Sequence, residues 1–295
     1  MKKLVLGTAQ FGMFYGISNQ EGKTHFEEVA KILSYAHEHG VDSLDTASLY
    51  GDSEIVLGRV LKQFSKNSFH VISKTPHFNS NVIASAEVSL LRATFDKSLS
   101  HLGVSQLDGL LIHACDDLFV ENGFKLYREL ELLRDQGKVR KIGVSIYSSQ
   151  QISDVLDEFS VDFVQLPINA LDQRLIEDGS LDRLKEKNVE VHARSVFLQG
   201  LLLMPVKNIS PWFAPIMPMI KRFHALAREM ELSPLQLALG FVNALEQVDR
   251  VVVGVNNVAQ LHEMLEAESA LINVAQCQEL SVQDPKFTNP GNWQV

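Results

Sequence analysis

The stretch VDSLDTASLYG, residues 41–51, runs from a short apolar strand directly into a polar turn. Six further strand-like runs also end on a polar residue or a glycine: HVISK (70–74), LDGLLIH (107–113), KIGVS (141–145), VDFVQ (161–165), VHARS (191–195) and RVVVG (250–254). In an eight-stranded α/β barrel the carboxyl ends of the strands converge on one face, where groups from different strands meet. The repeated pattern therefore predicts a barrel with a functional site at that face.

Eight strand–helix units follow one another without a linker, beginning with KLVLG at residues 3–7. The strands are apolar rather than alternating, as expected when helices cover one side of each strand and a packed barrel interior covers the other. We therefore predict a (β/α)8 barrel of the TIM type rather than a doubly wound open sheet, whose functional residues gather at one switch point. The segment GTAQFG at residues 7–12 lacks the GxGxxG spacing of a Rossmann nucleotide site.

The chain is predicted to form a single domain over residues 1–295, a size that α/β barrels often reach. Capping boxes are predicted at three helix starts, Thr24–Glu27, Ser148–Gln151 and Ser233–Gln236. Residues 201–219 are rich in Leu, Met and Pro, and residues 278–295 have no helical period. Long loops in a compact domain are often lids or binding loops, and an irregular surface loop with a frayed tail is the alternative.

The composition excludes several classes of partner. The net charge is −9 and no run of Lys and Arg is present, so a nucleic-acid partner is not expected. No apolar run approaches the roughly 18 residues of a membrane span, and the stretch LVLG is too short for a secretory leader. Cys115 and Cys277 have no metal-ligand spacing and are interpreted as free thiols in a reducing cytoplasm. His37 and His39 lack the HExxH spacing, and no metal is expected.

Four titratable residues fall at the ends of three neighbouring strands: Asp45, Tyr50, Lys74 and His113. An ammonium beside a phenol favours the phenolate and lowers the pKa of the phenol. A carboxylate paired with that ammonium holds it in place, and an imidazole can donate a hydrogen bond to a substrate oxygen. This group suits the protonation of an alkoxide while hydride is delivered to carbon. Because no side chain supplies hydride, a nicotinamide cofactor is required.

The chain resembles the aldo-keto reductases from about residue 4 to about residue 270. The motifs that carry the resemblance are GTAQFG (7–12), LDTASLYG (44–51), ISK (72–74), IH (112–113), LRDQGKVRKIGVS (133–145), VQLPIN (164–169), ARSVFLQGLL (193–202) and VVVGVNN (251–257). The resemblance implies a TIM-type barrel that binds NAD(P)H in an extended form. It also implies that Tyr50 is the general acid in carbonyl reduction, that Lys74 lowers its pKa, that Asp45 holds Lys74, and that His113 orients the carbonyl.

The resemblance further implies a set of cofactor-binding residues. Ser145 and Gln165 match residues that bind the nicotinamide amide, and Arg194 stands where many relatives carry an aromatic ring stacked on nicotinamide. The remaining matched positions are Thr8, Ala9, Ser195, Phe197, Gly200, Leu201, Gly254, Val255, Asn256, Gln260 and Glu263. Ile146 stands in place of the asparagine that usually follows the serine.

The cofactor preference is left open between two nucleotides. Family resemblance implies NADP(H), and relatives that prefer it usually carry Arg or Lys near the last strand to bind the 2′-phosphate. The stretch VNNVAQLHE at residues 255–263 offers no cation, which leaves NAD(H) open as well. The expected substrate is a small carbonyl compound, such as a sugar or aromatic carbonyl, and the expected state is a monomer.

Two other functions are considered beside carbonyl reduction. The departures at Ile146 and Arg194 raise the alternative of a catalytically weak, nucleotide-binding barrel that senses redox state and regulates a partner. A lyase or isomerase using Lys74 as a Schiff base is the third. Residues expected to line the substrate pocket from their loop positions are Phe11, Met13, Tyr15, Trp212, Phe213 and Trp293.

Overall fold

The fold is a closed barrel of parallel strands surrounded by helices. The computed structural model describes residues 3–66, 68–268 and 270–294, and within these ranges eight strands pair in sequence order until the last meets the first. The strands are β1 Leu4–Gly7, β2 Ser43–Asp45, β3 His70–Lys74, β4 Leu107–Ile112, β5 Val139–Ser145, β6 Phe163–Pro167, β7 Glu190–Arg194 and β8 Arg250–Gly254. The predicted (β/α)8 barrel is confirmed, and closure between β1 and β8 excludes the open sheet.

Helices cover the outside of the barrel and alternate with the strands. They are α1 Ala9–Gly12, α2 Phe26–Glu38, α3 Ser53–Leu61, α4 Ser85–Leu102, α5 Phe124–Asp135, α6 Ser149–Glu158, α7 Arg174–Glu177, α8 Ser180–Glu186, α9 Met217–Glu229, α10 Pro234–Asn243, α11 Val258–Ala267 and α12 Pro285–Thr288. The capping box of α10 forms as predicted, with Ser233 and Gln236 bonding each other's backbone.

The other two predicted capping boxes differ from the structure. At α6 the Ser148 hydroxyl accepts from the Gln151 N–H, but the Gln151 side chain accepts from Tyr147 instead of returning to Ser148. The box predicted at Thr24 is wrong, because α2 begins one residue later with His25 at its N-cap and no side-chain cap. The Thr24 hydroxyl oxygen is instead buried without a hydrogen-bond partner.

Four of the seven predicted strand ends are confirmed, including Gly254 of β8, and the other three differ by one or two residues. Asp45, Lys74 and Ser145 are the last residues of β2, β3 and β5. His113 and Ser195 come one residue after β4 and β7, and Gln165 lies in the middle of β6. Since side chains alternate along a strand, Ile72 shares a face with Lys74, and Phe163 shares a face with Gln165.

An apolar layer lies one step below these polar groups. Ile72, Leu111 and Phe163 form a buried cluster separate from the main core. Phe163 occupies the space left by two glycines: a Cβ on Gly109 or Gly143 would approach its ring to 2.8 or 2.9 Å. The polar ends of the strands therefore lie above a packed, buried apolar layer.

The segment 201–219 and the chain end pack against each other through aromatic rings. Residues 201–219 contain short 3-10 turns followed by the start of α9, and residues 278–294 contain α12 flanked by 3-10 turns. Trp212, Phe213, Phe287 and Trp293 make edge-on contacts with ring centroids 4.8–5.1 Å apart, and the Trp293 N–H donates to the Phe287 carbonyl at 3.0 Å. We name these four residues the aromatic clamp.

Two aromatic residues expected to line a pocket lie in the core, and the two cysteines are free as predicted. Phe11 and Phe213 are fully buried in the core, so the expectation that they line a substrate pocket is wrong. Cys115 and Cys277 are both buried and free. Among the described residues, no helix combines the length and the apolar character that crossing a membrane needs.

Candidate active site

A buried ion pair lies at the centre of the barrel mouth. Lys74 Nζ donates to Asp45 Oδ1 at 2.6 Å and to the Thr46 carbonyl at 2.9 Å. The side chains of Lys74 and Asp45 are 1% and 4% exposed, so water does not screen their attraction. The pair joins the ends of neighbouring strands β2 and β3, which the sequence pattern placed together.

Gln165 completes the hydrogen bonding of the same carboxylate. Its Nε2 donates to Asp45 Oδ2 at 2.7 Å from β6, across the barrel. Both oxygens of Asp45 therefore have donors, as a buried carboxylate requires. The Gln165 amide oxygen remains for another group at the mouth.

The environment of Lys74 favours its charged form. Burial acts to lower the pKa of Lys74, but the negative charge of Asp45 and the interaction with Tyr50 outweigh burial and raise it. A raised pKa means that Lys74 carries a permanent positive charge at neutral pH. The side chain is thus an electrostatic group rather than a free amine.

Tyr50 lies beside this ammonium, in the turn between β2 and α3. Lys74 Nζ is 5.0 Å from the centre of the Tyr50 ring. The backbone of Tyr50 is backed by Gly12 in α1, where a Cβ would lie 1.8 Å from the Tyr50 carbonyl oxygen. The next residue, Gly51, has φ +57°, a left-handed conformation that glycine adopts without strain.

His113 faces Tyr50 from the end of β4. The ring centroids are 6.2 Å apart in an edge-on arrangement, and the His113 backbone N–H donates to Thr75 Oγ1 at 3.1 Å. Burial, then the electrostatic effects of the neighbouring Lys74, His77 and Arg194, lowers the pKa of His113 to about 2. The imidazole is therefore neutral, and its buried Nδ1 has no hydrogen-bond partner among the described residues.

Three further residues surround these groups without having been assigned from sequence to the catalytic set. The His77 ring lies 4.5 Å from that of His113. Tyr147, two residues past β5, stacks with Arg194, whose guanidinium carbon is 4.1 Å from the ring centre. Burial raises the pKa of Tyr15, and the nearby Tyr50 adds to this effect. A position just past a strand end is the sequence signal that His77 and Tyr147 share.

The residues matched to nicotinamide binding lie at the same mouth. Ser145 and Gln165 are buried neighbours on the paired strands β5 and β6. Arg194 Nη1 donates to Ser195 Oγ at 3.3 Å, while its Nη2 is buried without a partner. Donors and acceptors left free in this way suit a planar amide bound beside them.

The segment after β7 is a tight turn with an unusual backbone. Positive φ angles occur at Ser195, Leu198, Gln199 and Gly200, between +46° and +91°. Phe197 and Leu201 are buried. A Cβ on Gly200 would lie 1.8 Å from Ser18 Oγ, which shows how closely this turn packs on the loop after β1.

The remaining matched residues lie around the start of α11 and the end of β1. Asn257 caps α11 by accepting from the Gln260 N–H at 2.9 Å, and the Gln260 side chain accepts from the Asn256 N–H at 2.8 Å. The Asn256 side-chain oxygen is buried and unpartnered, Val255 is buried, and Glu263 is exposed. Gly254 lies beside Gln10.

Thr8 and Ala9 are part of the scaffold. The Thr8 hydroxyl donates to the Asp45 carbonyl at 3.0 Å and accepts from Ser53 Oγ at 2.9 Å. Ala9 begins α1 and is buried. These contacts link β1 to the strand that carries Asp45.

A carboxylate that is paired with Lys31 at 3.3 Å lies at the start of α11. Glu28 Oε1 accepts from the Val258 N–H at 3.0 Å. The segment 254–263 contains no Lys or Arg. Free polar atoms at Arg194 and Asn256 and a small-residue edge at Gly254 fit an extended dinucleotide, while the charge at α11 does not favour a 2′-phosphate. No metal-binding group of His, Cys, Asp or Glu occurs among the described residues.

The chain is similar to a known family, to two relatives and to a solved structure. The sequence model of the Aldo/keto reductase family matches residues 3–281. Uncharacterized oxidoreductase YtbE from Bacillus subtilis is 28% identical over 60% of this chain and 61% of its own length, less than two thirds. L-galactose dehydrogenase from Arabidopsis thaliana is 27% identical over 86% of this chain and 82% of its own. A candidate aldo-keto reductase from Pseudomonas aeruginosa has a solved structure with a TM-score of 0.67, at 19% identity over 91% of this chain and 90% of that one, and shares the fold.

Proposed function

Because this chain belongs to the aldo/keto reductase family of oxidoreductases, which generally use NAD(P)H, we propose that it reduces an aldehyde or ketone to an alcohol with Tyr50 as general acid. The observation that carries the proposal is a buried, permanently charged Lys74 held by Asp45 and lying against the Tyr50 ring. This is the arrangement that a proton-donating phenol needs, because the charge stabilises the phenolate left behind.

Each residue has a defined part in this reaction. When bound, the cofactor supplies hydride to the carbonyl carbon. Tyr50 donates its proton to the carbonyl oxygen, so that hydride and proton together convert the carbonyl to an alcohol. Neutral His113 can donate one N–H to that oxygen and orient it. Asp45 holds Lys74, and the apolar layer below keeps water from screening their charges.

The residues that would hold the cofactor follow from their positions at the mouth. Ser145 and Gln165 would bind the amide of nicotinamide, Arg194 would lie against its ring, and residues 195–201 and 254–263 would receive the pyrophosphate and adenosine. Glu28 lies on α2 and accepts from the first N–H of α11. Its carboxylate supports NAD(H) as an accepted cofactor, since an acidic residue suits a ribose hydroxyl better than a phosphate. Titration with NADH and NADPH, in the parent protein and in Glu28→Gln, tests this: the variant should gain affinity for NADPH alone.

The decisive experiment is Tyr50→Phe with a panel of aldehydes and ketones. We expect kcat to fall by about 10² or more with little change in NAD(P)H affinity, because only the proton donor is removed. Tyr127→Phe is the matched control, since the Tyr127 hydroxyl donates to the Ser160 carbonyl just before β6, at the end of the barrel opposite the mouth. Equal rates in Tyr50→Phe and the parent protein would refute the mechanism.

The alternative of a nucleotide-binding regulator rests on Ile146 and Arg194, where the family usually has other residues. It predicts tight dinucleotide binding with no turnover across the same panel. Measurable steady-state reduction removes the need for it. The Schiff-base lyase is disfavoured because Lys74 is protonated, and a protonated amine is not nucleophilic. Burial lowers the pKa of Lys74, but the effects of Asp45 and Tyr50 outweigh burial and raise it.

The proposal extends to the organisation of the chain. We infer one domain over residues 1–295, with the segments 201–219 and 278–294 joined to each other through the aromatic clamp. The substrate is a small carbonyl compound that enters past Met13 and Tyr15, which are 38% and 37% exposed. The protein acts on it as a monomer.

A further inference from the structure

Arg194 brings an unbalanced positive charge to the barrel mouth. Its guanidinium stacks on Tyr147 at 4.1 Å and bonds Ser195, and it forms no ion pair with a carboxylate in the part of the chain that the structure describes. Its Nη2 is buried with no acceptor. The charge reaches the reacting groups, because it contributes, after burial and the fields of Lys74 and His77, to lowering the pKa of His113.

The other charges near this point cancel in pairs. Lys74 is matched by Asp45 at 2.6 Å. Asp172, which also lies within the field of Arg194, gives both oxygens to Arg174 at 2.7 and 2.9 Å. His113 is neutral. Arg194 is therefore a cation at the mouth that no carboxylate of the described residues pairs with, and a bound ring would meet its charge.

We propose that Arg194 makes the site bind the reduced nicotinamide in preference to the oxidised one. This inference rests on the proposed function. A ring that passes hydride to a carbonyl held by Tyr50 and His113 must enter the mouth where Arg194 lies. The reduced ring is uncharged and rich in electrons, so a stacked cation attracts it. The oxidised ring carries one positive charge and is repelled by the same cation.

The test measures binding, not turnover. Dissociation constants for NADH and NAD⁺, and for NADPH and NADP⁺, are determined by calorimetry for the parent protein, Arg194→Gln and Arg194→Lys. Arg128→Gln removes an exposed cation on α5 and serves as the control for charge in general. For NADH with NAD⁺, and for NADPH with NADP⁺, the dissociation constant of the oxidised form is divided by that of the reduced form. Contacts to phosphate and adenosine contribute equally to both constants, so they cancel in this ratio.

We expect the ratio to fall by about tenfold or more in Arg194→Gln, and to stay near the parent value in Arg194→Lys and Arg128→Gln. An unchanged ratio in Arg194→Gln overturns the inference while leaving the proposed function intact. An equal fall in Arg194→Lys also overturns it, because the stack and not the charge would then be responsible. Absence of binding by any nucleotide to the parent protein overturns the proposed function itself.

Discussion

Gln165 and Asp45, which lie on strands β6 and β2 across the barrel, are joined by a 2.7 Å hydrogen bond from the amide nitrogen to the carboxylate. The same carboxylate receives Lys74 on its other oxygen at 2.6 Å. A residue matched from sequence to cofactor binding is thus also part of the support for the charged lysine. Its replacement should affect stability as well as nucleotide binding.

Gln165→Leu removes the donor from one oxygen of a buried carboxylate. We expect the free energy of unfolding to fall by about 1–3 kcal/mol, because an unsatisfied buried acceptor retains its desolvation cost. Urea denaturation measures this. Gln106→Leu is the control, since Gln106 donates to the Gly137 carbonyl and accepts from Arg140 in hydrogen bonds that are exposed to solvent, and its effect should stay within about 0.5 kcal/mol. Equal stabilities of Gln165→Leu and Gln106→Leu would contradict the role given to this bond.

Gly12 is expected to hold Tyr50 in place. In Gly12→Ala the new Cβ would lie 1.8 Å from the Tyr50 carbonyl oxygen and 2.4 Å from the Ser53 nitrogen, so the turn must move. A shift of about 1 Å at a proton donor costs up to about 10² in rate, and we expect kcat for carbonyl reduction to fall by at least about tenfold. Gly291→Ala meets its nearest atom at 3.3 Å and should leave kcat unchanged. A fully active Gly12→Ala would show that the turn can relax.

The low pKa of His113 predicts a stability loss in acid. The unfolded imidazole takes up a proton near pH 6.5, whereas burial, with Lys74, His77 and Arg194, lowers the pKa in the folded protein to about 2. Between these two pKa values the unfolded state therefore binds more protons than the folded state. The contribution of neutral His113 to the free energy of unfolding is complete above about pH 6.5 and is lost as the pH falls.

The corresponding measurement is the free energy of unfolding of the parent protein and of His113→Asn at about pH 7 and about pH 5.5. The parent protein should lose up to about 1.4 kcal/mol per pH unit more than the variant. Other histidines titrate in both proteins, so the difference between them isolates His113. Parallel pH profiles would show that His113 has the same pKa in the folded and unfolded states, which would contradict the lowered value.

The barrel was predictable because its signal is local and repeated. Each apolar run ends on a polar residue, and closure of the barrel then brings Asp45 and Lys74 together whatever the loops do. Helix capping was less predictable, because Thr24 and Glu27 have the spacing of a capping box but the chain enters α2 at His25. The local motif was overridden by the position of the preceding loop, whose Thr24 backbone N–H donates to Gln10.

Contacts made across the barrel could not be predicted. The Gln165–Asp45 bond joins residues 120 positions apart, and its existence depends on the alternation of side chains in β6 rather than on the strand end. The Arg194–Tyr147 stack likewise joins two strand ends whose side-chain directions are set by packing. Phe11 and Phe213 were assigned to a pocket from loop position, but an aromatic ring in a loop can equally be buried beneath it.

The inference of one domain predicts a single unfolding transition. The two tryptophans of the chain, Trp212 and Trp293, both belong to the aromatic clamp, whereas far-ultraviolet circular dichroism reports mainly the barrel. If residues 201–219 and the chain end are integral to the domain, fluorescence and dichroism should give the same urea midpoint. Trp293→Ala should then lower that common midpoint by the equivalent of about 2 kcal/mol, and Trp293→Phe should lower it less, because a ring still packs on Phe213. A fluorescence change that precedes the dichroism change, or a Trp293→Ala protein with an unaltered dichroism midpoint, would show instead that the chain end detaches independently of the barrel.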